Sequence, residues 1–486
     1  MYRQGLGDCH LVTILREGKP VYRMLIDCGV YQTVANGADT MRKIVSNIIA
    51  ETGGSVDLLV VTHEHWDHVS GFNQARALFA DPKAAPDPTK LTVGEVWLGW
   101  TENDQDPDAA KLQKERAQAI KRVAMAERTA AAVAPDSETA RGLEAILGFF
   151  GGAARTTSDA MTAVKAMTEE PRYCRPTDPP RDLAPGVRAY VLGPPLEAKY
   201  IYKLLDDSDT YHFAGPREDA LFGAFSMVRD SEDAGPDDAD RGQPFDWTTR
   251  RAARFGDGKS GGETGAAEGG GHASSRGIGQ AGLKLLEGED ARFFQNRYFG
   301  RSAADIDGDQ SWRRIDGDWL GGSQEMALKL DNATNNTSVV VALELTDTGQ
   351  VLLFVADAQV GSWLSWFDLE WQVGGKRVTA ADLLSRTMFM KVGHHGSHNA
   401  TLSKKGLETM SDDLIAFIPT DEVVAKKVGW GQMPLPGLVS ALDKHSHGRV
   451  VRADQSYDAN AAGTSEAVDF AKALVVDDLY FEIDIT

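Results

Sequence analysis

The stretch VVTHEHWDHVSGF, Val60–Phe72, gathers His63, His65, Asp67 and His68 directly behind the apolar run VDLLVV. Side chains two apart in an extended segment point to the same side, so His63 and His65 can converge on one cation. Asp67 and His68 follow at the next turn and can face a second. Imidazole nitrogen and carboxylate oxygen suit zinc, and also manganese or iron. A single histidine at a strand end is most often an ordinary surface residue. The pattern HxHxDH behind a buried strand points instead to a metal site.

Elements must deliver these groups. Residues 1–100 contain short β-like runs, HLVTIL, PVYRMLIDCG, VDLLVVTH and EVWLGW, punctuated by turns, which predict a sheet with helices between its strands. Residues 101–185 turn to Ala, Lys, Glu, Arg and Gln, good helix formers, and read as a helical insertion. GVRAYVLGPP, 186–195, is a further core strand. Residues 196–330 have weak periodicity, and their centre, FGDGKSGGETGAAEGGGHASSRGIG, is too poor in apolar side chains to fold on itself. It is expected to be a mobile loop that a short Gly-Ser linker could replace at little cost in stability. From 331 to 486 the strand pattern resumes in TSVVVALEL, GQVLLFVADAQ, TMFMKVGHHGS, DLIAFIPT, GRVVRAD and DLYFEIDIT, with helical TAADLLSR and LPGLVSALDKH among them. Two strand-and-helix halves predict a layered α/β sandwich.

At these residues the chain resembles the metallo-β-lactamase fold hydrolases, whose hallmark is HxHxDH. The resemblance continues in LIDCG with Asp27, LLFVADAQ with Asp357, and MKVGHHGSHNA with His394 and His395. It implies an αββα sandwich, here carrying a helical insertion and a long Gly-rich one. It also implies two divalent ions, zinc or manganese, about 3.5 to 4 Å apart, which lower the pKa of a bridging water. His63 and His65 would hold the first ion, and Asp67, His68 and His395 the second. Asp357 would bridge them, and Asp27 would support the metal-binding loop from behind. Asp67 and His394 are the candidate catalytic side chains, His394 contacting the phosphoryl group or protonating the leaving oxygen. Alternation alone leaves open which of His394 and His395 binds metal.

RQGLGDCHLVTI, YVLGPP, NNTSVVV, MKVGHHGS and GWGQMPLPGLVSALDKHSHGRVVRAD look like the soluble nuclease-like domain of ComEC-type DNA-uptake proteins and their phosphodiesterase relatives, including phosphorylcholine esterases. This implies a phosphodiesterase or nuclease whose substrate is DNA or a nucleotide. A carboxyl-ester, lactone or thioester hydrolase would use the same metals. Two departures stand out. Many fold members place another histidine on the first metal, whereas here only His212 and His272 lie between the signature and Asp357, both in insertion sequence, and the chain has the turn Asn335, Asn336, Ser338. Relatives also often carry His-Pro where this chain has Met433-Pro434.

Composition bounds the rest. A net charge of −20 argues against broad affinity for nucleic acid or anionic membranes, though bound cations would add local positive charge that this count omits. No apolar run approaches the roughly 18 residues of a membrane span. The opening MYRQGLGDCH has no signal-peptide pattern, so the cytoplasm is expected. The first strand is under way almost at once, as if the chain began late. Cys9, Cys28 and Cys174 are too scattered for a disulfide framework and are expected to be buried thiols. Trp97 is expected in the core, as are Trp363, Trp366 and Trp371. Trp66 could pack or rim the site, and His398 reads as an exposed loop residue. GLGDC matches no P-loop spacing and reads as a tight turn.

Overall fold

The computed structural model describes residues 1–85, 87–133, 137–152, 155–203, 209–210 and 318–485. His212, His272 and the glycine-rich run lie outside the described residues. The larger compact unit comprises Met1–Lys121, Ala145–Gly215 and Ala327–Thr486. A second comprises Arg122–Glu144 and Pro216–Met326, and its described residues are mostly helical.

Strands β1 His10–Arg16, β2 Lys19–Ile26, β3 Ser55–Val60, β4 Thr92–Gly99 and β5 Arg172–Cys174 form one sheet in that order. Only the β1–β2 pair is antiparallel. The second sheet holds β6 Arg181–Ala184, β7 Val187–Gly193, β8 Val340–Leu345, β9 Val351–Phe354, β10 Thr387–Lys391, β11 Ile415–Ile418 and β12 Val450–Arg452. Its order follows the chain from β6 to β12, antiparallel as far as β9 and parallel from β9 onward.

Strand periodicity makes the layers. Met24 and Ile26 of β2, with Leu58 and Val60 of β3, share a cluster with Val341, Leu343, Leu352, Phe354, Phe389 and Phe417 of the second sheet. Leu25 and Leu59, with intervening parity, pack on the helical side, joined there by Val56 near the start of β3. That side is covered by α1 Gly37–Thr52, α2 Trp66–Gln74 and α5 Thr157–Lys165; α3, Pro107–Val133, and α4, Glu138–Leu147, lie between α2 and α5 in the chain. In α1, Met41, Ile44, Val45 and Ile48 fall at the 3.6-residue period that buries one stripe, and Gly53 ends the helix in the left-handed conformation. Following α6, Asp318–Asn335, the outer face of the second sheet packs on α7, Val360–Trp366, and α8, Pro436–His445. There Val340, Ala342, Leu353 and Met390 meet Trp363, Trp366, Leu438 and Leu442. Burying each such side chain contributes roughly 1.5–3 kcal/mol. The result is the expected αββα sandwich.

Two boundaries differ from expectation. Residues 101–185 are not wholly a helical insertion: β5 pairs with β4 at Trp97↔Arg172, β6 pairs with β7, and Ala160, Met161 and Val164 of α5 join the first-sheet core. Strands of three and four residues are too short to show a period, so only pairing defines them. Likewise 196–330 is not irregular to its end, because α6 begins at Asp318. The three cysteines are free and buried, as are Trp97, Trp363, Trp366, Trp371 and Trp66. His398 is half-buried. Among the described residues no helix is long and apolar enough to cross a membrane.

Candidate metal centre

The ligands named from the sequence follow strand C-terminal ends. β3 runs parallel between β2 and β4, and the chain leaves it through Thr62 and His63 before α2 starts at Trp66. In the extended part, Glu64 points away from its histidine neighbours and meets Arg116 of α3 at 2.6 Å, while His63 and His65 turn inward with ring centroids 4.7 Å apart. Asp67 and His68 occupy the first turn of α2, where a carboxylate is favoured by the helix dipole.

Asp27, at the end of β2, fixes the orientation of His68. Its carboxylate accepts from the Thr62 amide at 2.8 Å and the Thr62 hydroxyl at 2.7 Å, and lies 2.8 Å from His68 Nδ1. The far nitrogen, Nε2, therefore faces the centre. His395 is oriented in the same way: Nδ1 donates to the Pro419 carbonyl at 2.6 Å, beyond β11, and Nε2 meets Asp67 Oδ2 at 2.9 Å. Asp357 follows β9, its amide 3.3 Å from Ser338 Oγ. Asp27, Ala356, His394 and His395 all take positive φ. Each such residue stores strain of about 1–3 kcal/mol, held here by the surrounding bonds.

Asp8, His68, Asp357 and His395 offer ligand atoms that lie within 4.8 Å of one another, all buried. Asp8 is absent from the sequence-based set. It sits in the tight turn GLGDC, and its amide donates to the Asp67 carbonyl at 3.0 Å. Gly7 makes that approach feasible: at φ +145 its Cβ would lie 2.5 Å from Gly29 O and 2.7 Å from Asp67 O. Lys391, also unforeseen, is 1% exposed, and its ammonium reaches Asp8 Oδ2 at 2.5 Å, Asp357 Oδ1 at 3.2 Å and the Ala356 carbonyl at 2.7 Å. The only sequence signals for this pair were an acid inside a glycine turn and a cation ending an apolar strand.

His63 and His65 stand beside this cluster. His63 Nδ1 is 3.1 Å from Thr62 Oγ1 and 3.3 Å from Ser338 Oγ, which leaves Nε2 inward. His65 stacks on Phe149 at 4.9 Å and meets the edge of Phe150 at 5.1 Å. His394 is engaged elsewhere: Nδ1 lies 3.0 Å from Gln359 Nε2 and 2.9 Å from Ser397 Oγ, and Nε2 is 3.4 Å from Asn335 Nδ2. Of the adjacent pair, His395 therefore faces the carboxylate cluster and His394 flanks it.

The donor set fits a divalent metal on its own geometry. His63 Nε2, both nitrogens of His65, Asp67 Oδ1, His68 Nε2 and Asp357 Oδ2 are buried without a hydrogen-bond partner. Leaving such atoms unmatched costs about 1–3 kcal/mol each, so their concentration at one spot calls for a shared partner. His68 Nε2 and Asp357 Oδ2 face each other at 3.1 Å. Burial, with His68 and then His65 nearby, holds His63 well below the usual imidazole range. Burial likewise brings His65 down to about 3. Burial also opposes charge on His68, but Asp357, Asp8, Asp27 and Asp67 outweigh it and raise that imidazole. Asp357 is lowered well below the carboxylate range because His68, His395 and Lys391 overcome its burial. His63 and His65 are thus held neutral and Asp357 ionised, the forms that bind zinc or manganese, whereas His68 must give up its proton when a metal binds.

No curated protein and no solved structure matches this chain. Residues 4–148, which include Asp8, Asp27 and the whole HxHxDH loop, match the family model described as the metallo-beta-lactamase superfamily, in keeping with the αββα fold.

Proposed function

We propose that this chain is a metal-dependent hydrolase of phosphodiesters, with DNA or a nucleotide as its substrate class. The observation that carries the reading is the convergence of unpartnered buried donors from His63, His65, Asp67, His68 and Asp357 at the strand ends. His63 and His65 would hold one divalent ion, Asp67, His68 and His395 the other, and Asp357 would lie against both. Such ions, when bound, lower the pKa of water and neutralise charge on phosphoryl oxygens. The chain's own groups orient and exclude. Asp27 keeps His68 Nε2 inward, and the Pro419 carbonyl does so for His395. Phe149 and Phe150 close off water beside His65. His394, its Nδ1 held against Gln359 and Ser397, flanks the cluster, where its ring would bond a phosphoryl oxygen or protonate the leaving oxygen. The phosphodiester choice draws support from the MKVGHHGS and NNTSVVV motifs.

The test is a substrate panel of bis-p-nitrophenyl phosphate, single-stranded DNA, cyclic nucleotides and lactones, with added manganese or zinc. Metal-dependent cleavage of the phosphodiesters is expected. Turnover of lactones alone would replace this reading with that of a carboxyl-ester or lactone hydrolase.

A further inference from the structure

We infer that Asp331 is a metal ligand, the carboxylate that completes the first ion position beside His63 and His65. The inference rests on the metal-dependent reading above and adds a residue to it. Asp331 lies in the last turn of α6 and is 7% exposed. Its two oxygens differ: Oδ2 accepts from Asn335 Nδ2 at 3.2 Å, whereas Oδ1 is buried with no partner. Oδ1 faces His65 Nε2, also unpartnered, across 3.9 Å. That gap is too long for a hydrogen bond, whose N···O distance is about 2.7–3.2 Å. It is close to the separation of about 3.4 Å that two ligands of one tetrahedral zinc adopt when each is roughly 2.1 Å from the ion. An unpaired carboxylate and an unpaired imidazole facing each other at that spacing leave room for a cation between them.

The position is braced by the turn that follows. Asn336 accepts the amides of Gln359 and Ser362, each at 3.1 Å, and donates to the Ile201 carbonyl at 3.1 Å. Ser338, two residues on, touches both His63 Nδ1 and the Asp357 amide at 3.3 Å. One rigid segment thus carries Asp331 and orients two of the other candidate ligands. A site of two imidazoles and one carboxylate takes a divalent cation of the zinc or manganese type and needs neither His212 nor His272.

The experiment compares the full chain with Asp331→Asn and Asp331→His, each stripped with a chelator and dialysed against zinc or manganese before elemental analysis. The parent should take up about two ions per chain. Asp331→Asn should retain one and lose affinity for the other by more than about a hundredfold, since removing even an orienting partner costs 10- to 100-fold. Asp331→His, which restores a competent donor, should recover the second ion. Metal-free Asp331→Asn should melt no lower than the metal-free parent, because it removes an unmatched buried oxygen. If the parent binds two ions and Asp331→Asn binds both equally well, the inference falls while the metal-dependent reading stands. A metal-free Asp331→Asn that melts well below its parent would mark a structural carboxylate and also overturn it. A parent that takes up no ion would overturn both.

Discussion

Lys391 Nζ lies 3.2 Å from Asp357 Oδ1, so a buried ammonium occupies one side of a carboxylate whose other oxygen, Oδ2, is 3.1 Å from His68 Nε2 and 3.6 Å from His395 Nε2. Oδ1 thus has a cation beside it, while Oδ2 faces the histidines. Asp8 stands on the far side of the same ammonium. Within this cluster Lys391 balances the charge of two acids that have little water to do so.

Lys391→Met should therefore destabilise the metal-free protein by about 3–5 kcal/mol, the range for removing one partner of a buried pair. Chemical denaturation measures it. In the double variant Asp8→Asn, Lys391→Met, the combined loss should be smaller than the sum of the single losses, since the charge left behind is itself reduced. Strict additivity would mean that the two residues do not act as a pair.

Asp357→Asn preserves shape but removes the charge on which the histidines converge. Metal occupancy and hydrolysis should fall together, with a rate loss exceeding about a hundredfold if one transition-state contact is representative. Full activity with undiminished metal content would rule out Asp357 as a ligand and turn attention to Asp27 or Asp8.

Asp27 touches no ion in this scheme, yet, held by two hydrogen bonds from Thr62, it sets the direction of His68 through one short contact to Nδ1. For Asp27→Asn, competition with a coloured chelator should report metal affinity reduced by about 10- to 100-fold. An unchanged affinity would show that His68 is held without it.

Gly7→Ala tests the close approach of the Asp8 turn to the metal-binding loop. The added methyl would lie 2.5 Å from Gly29 O at a backbone angle of +145 that side chains disfavour. A thermal melt should show a large loss of stability, more than about 2 kcal/mol, tied to steric overlap and backbone strain. A melt matching the parent would mean that the turn relaxes freely.

The sequence alone marked the layers and the strand ends. The short apolar runs in LIDCG, VDLLVV and QVLLFVADA are a local mark of buried strands, and each leads to a polar residue, so Asp27, His63 and Asp357 could be named before any pairing was known. The signature itself needed only six residues of spacing to bring its imidazoles together. What depends on two distant segments was not legible. Asp8 and Lys391 are separated by nearly the whole chain, and only the meeting of the first turn with β10 makes them an ion pair. Asp331 acquires its place from the packing of α6 beside His65, and which of His394 and His395 faces the carboxylate cluster follows from left-handed backbone at both positions and from the Pro419 carbonyl. β5 and β6, too short to carry a period, exist as strands because neighbouring edges supply their hydrogen bonds. Local pattern determines which face of a segment is buried and where it ends; which buried charges then neutralise one another is settled by contacts that sequence spacing does not encode.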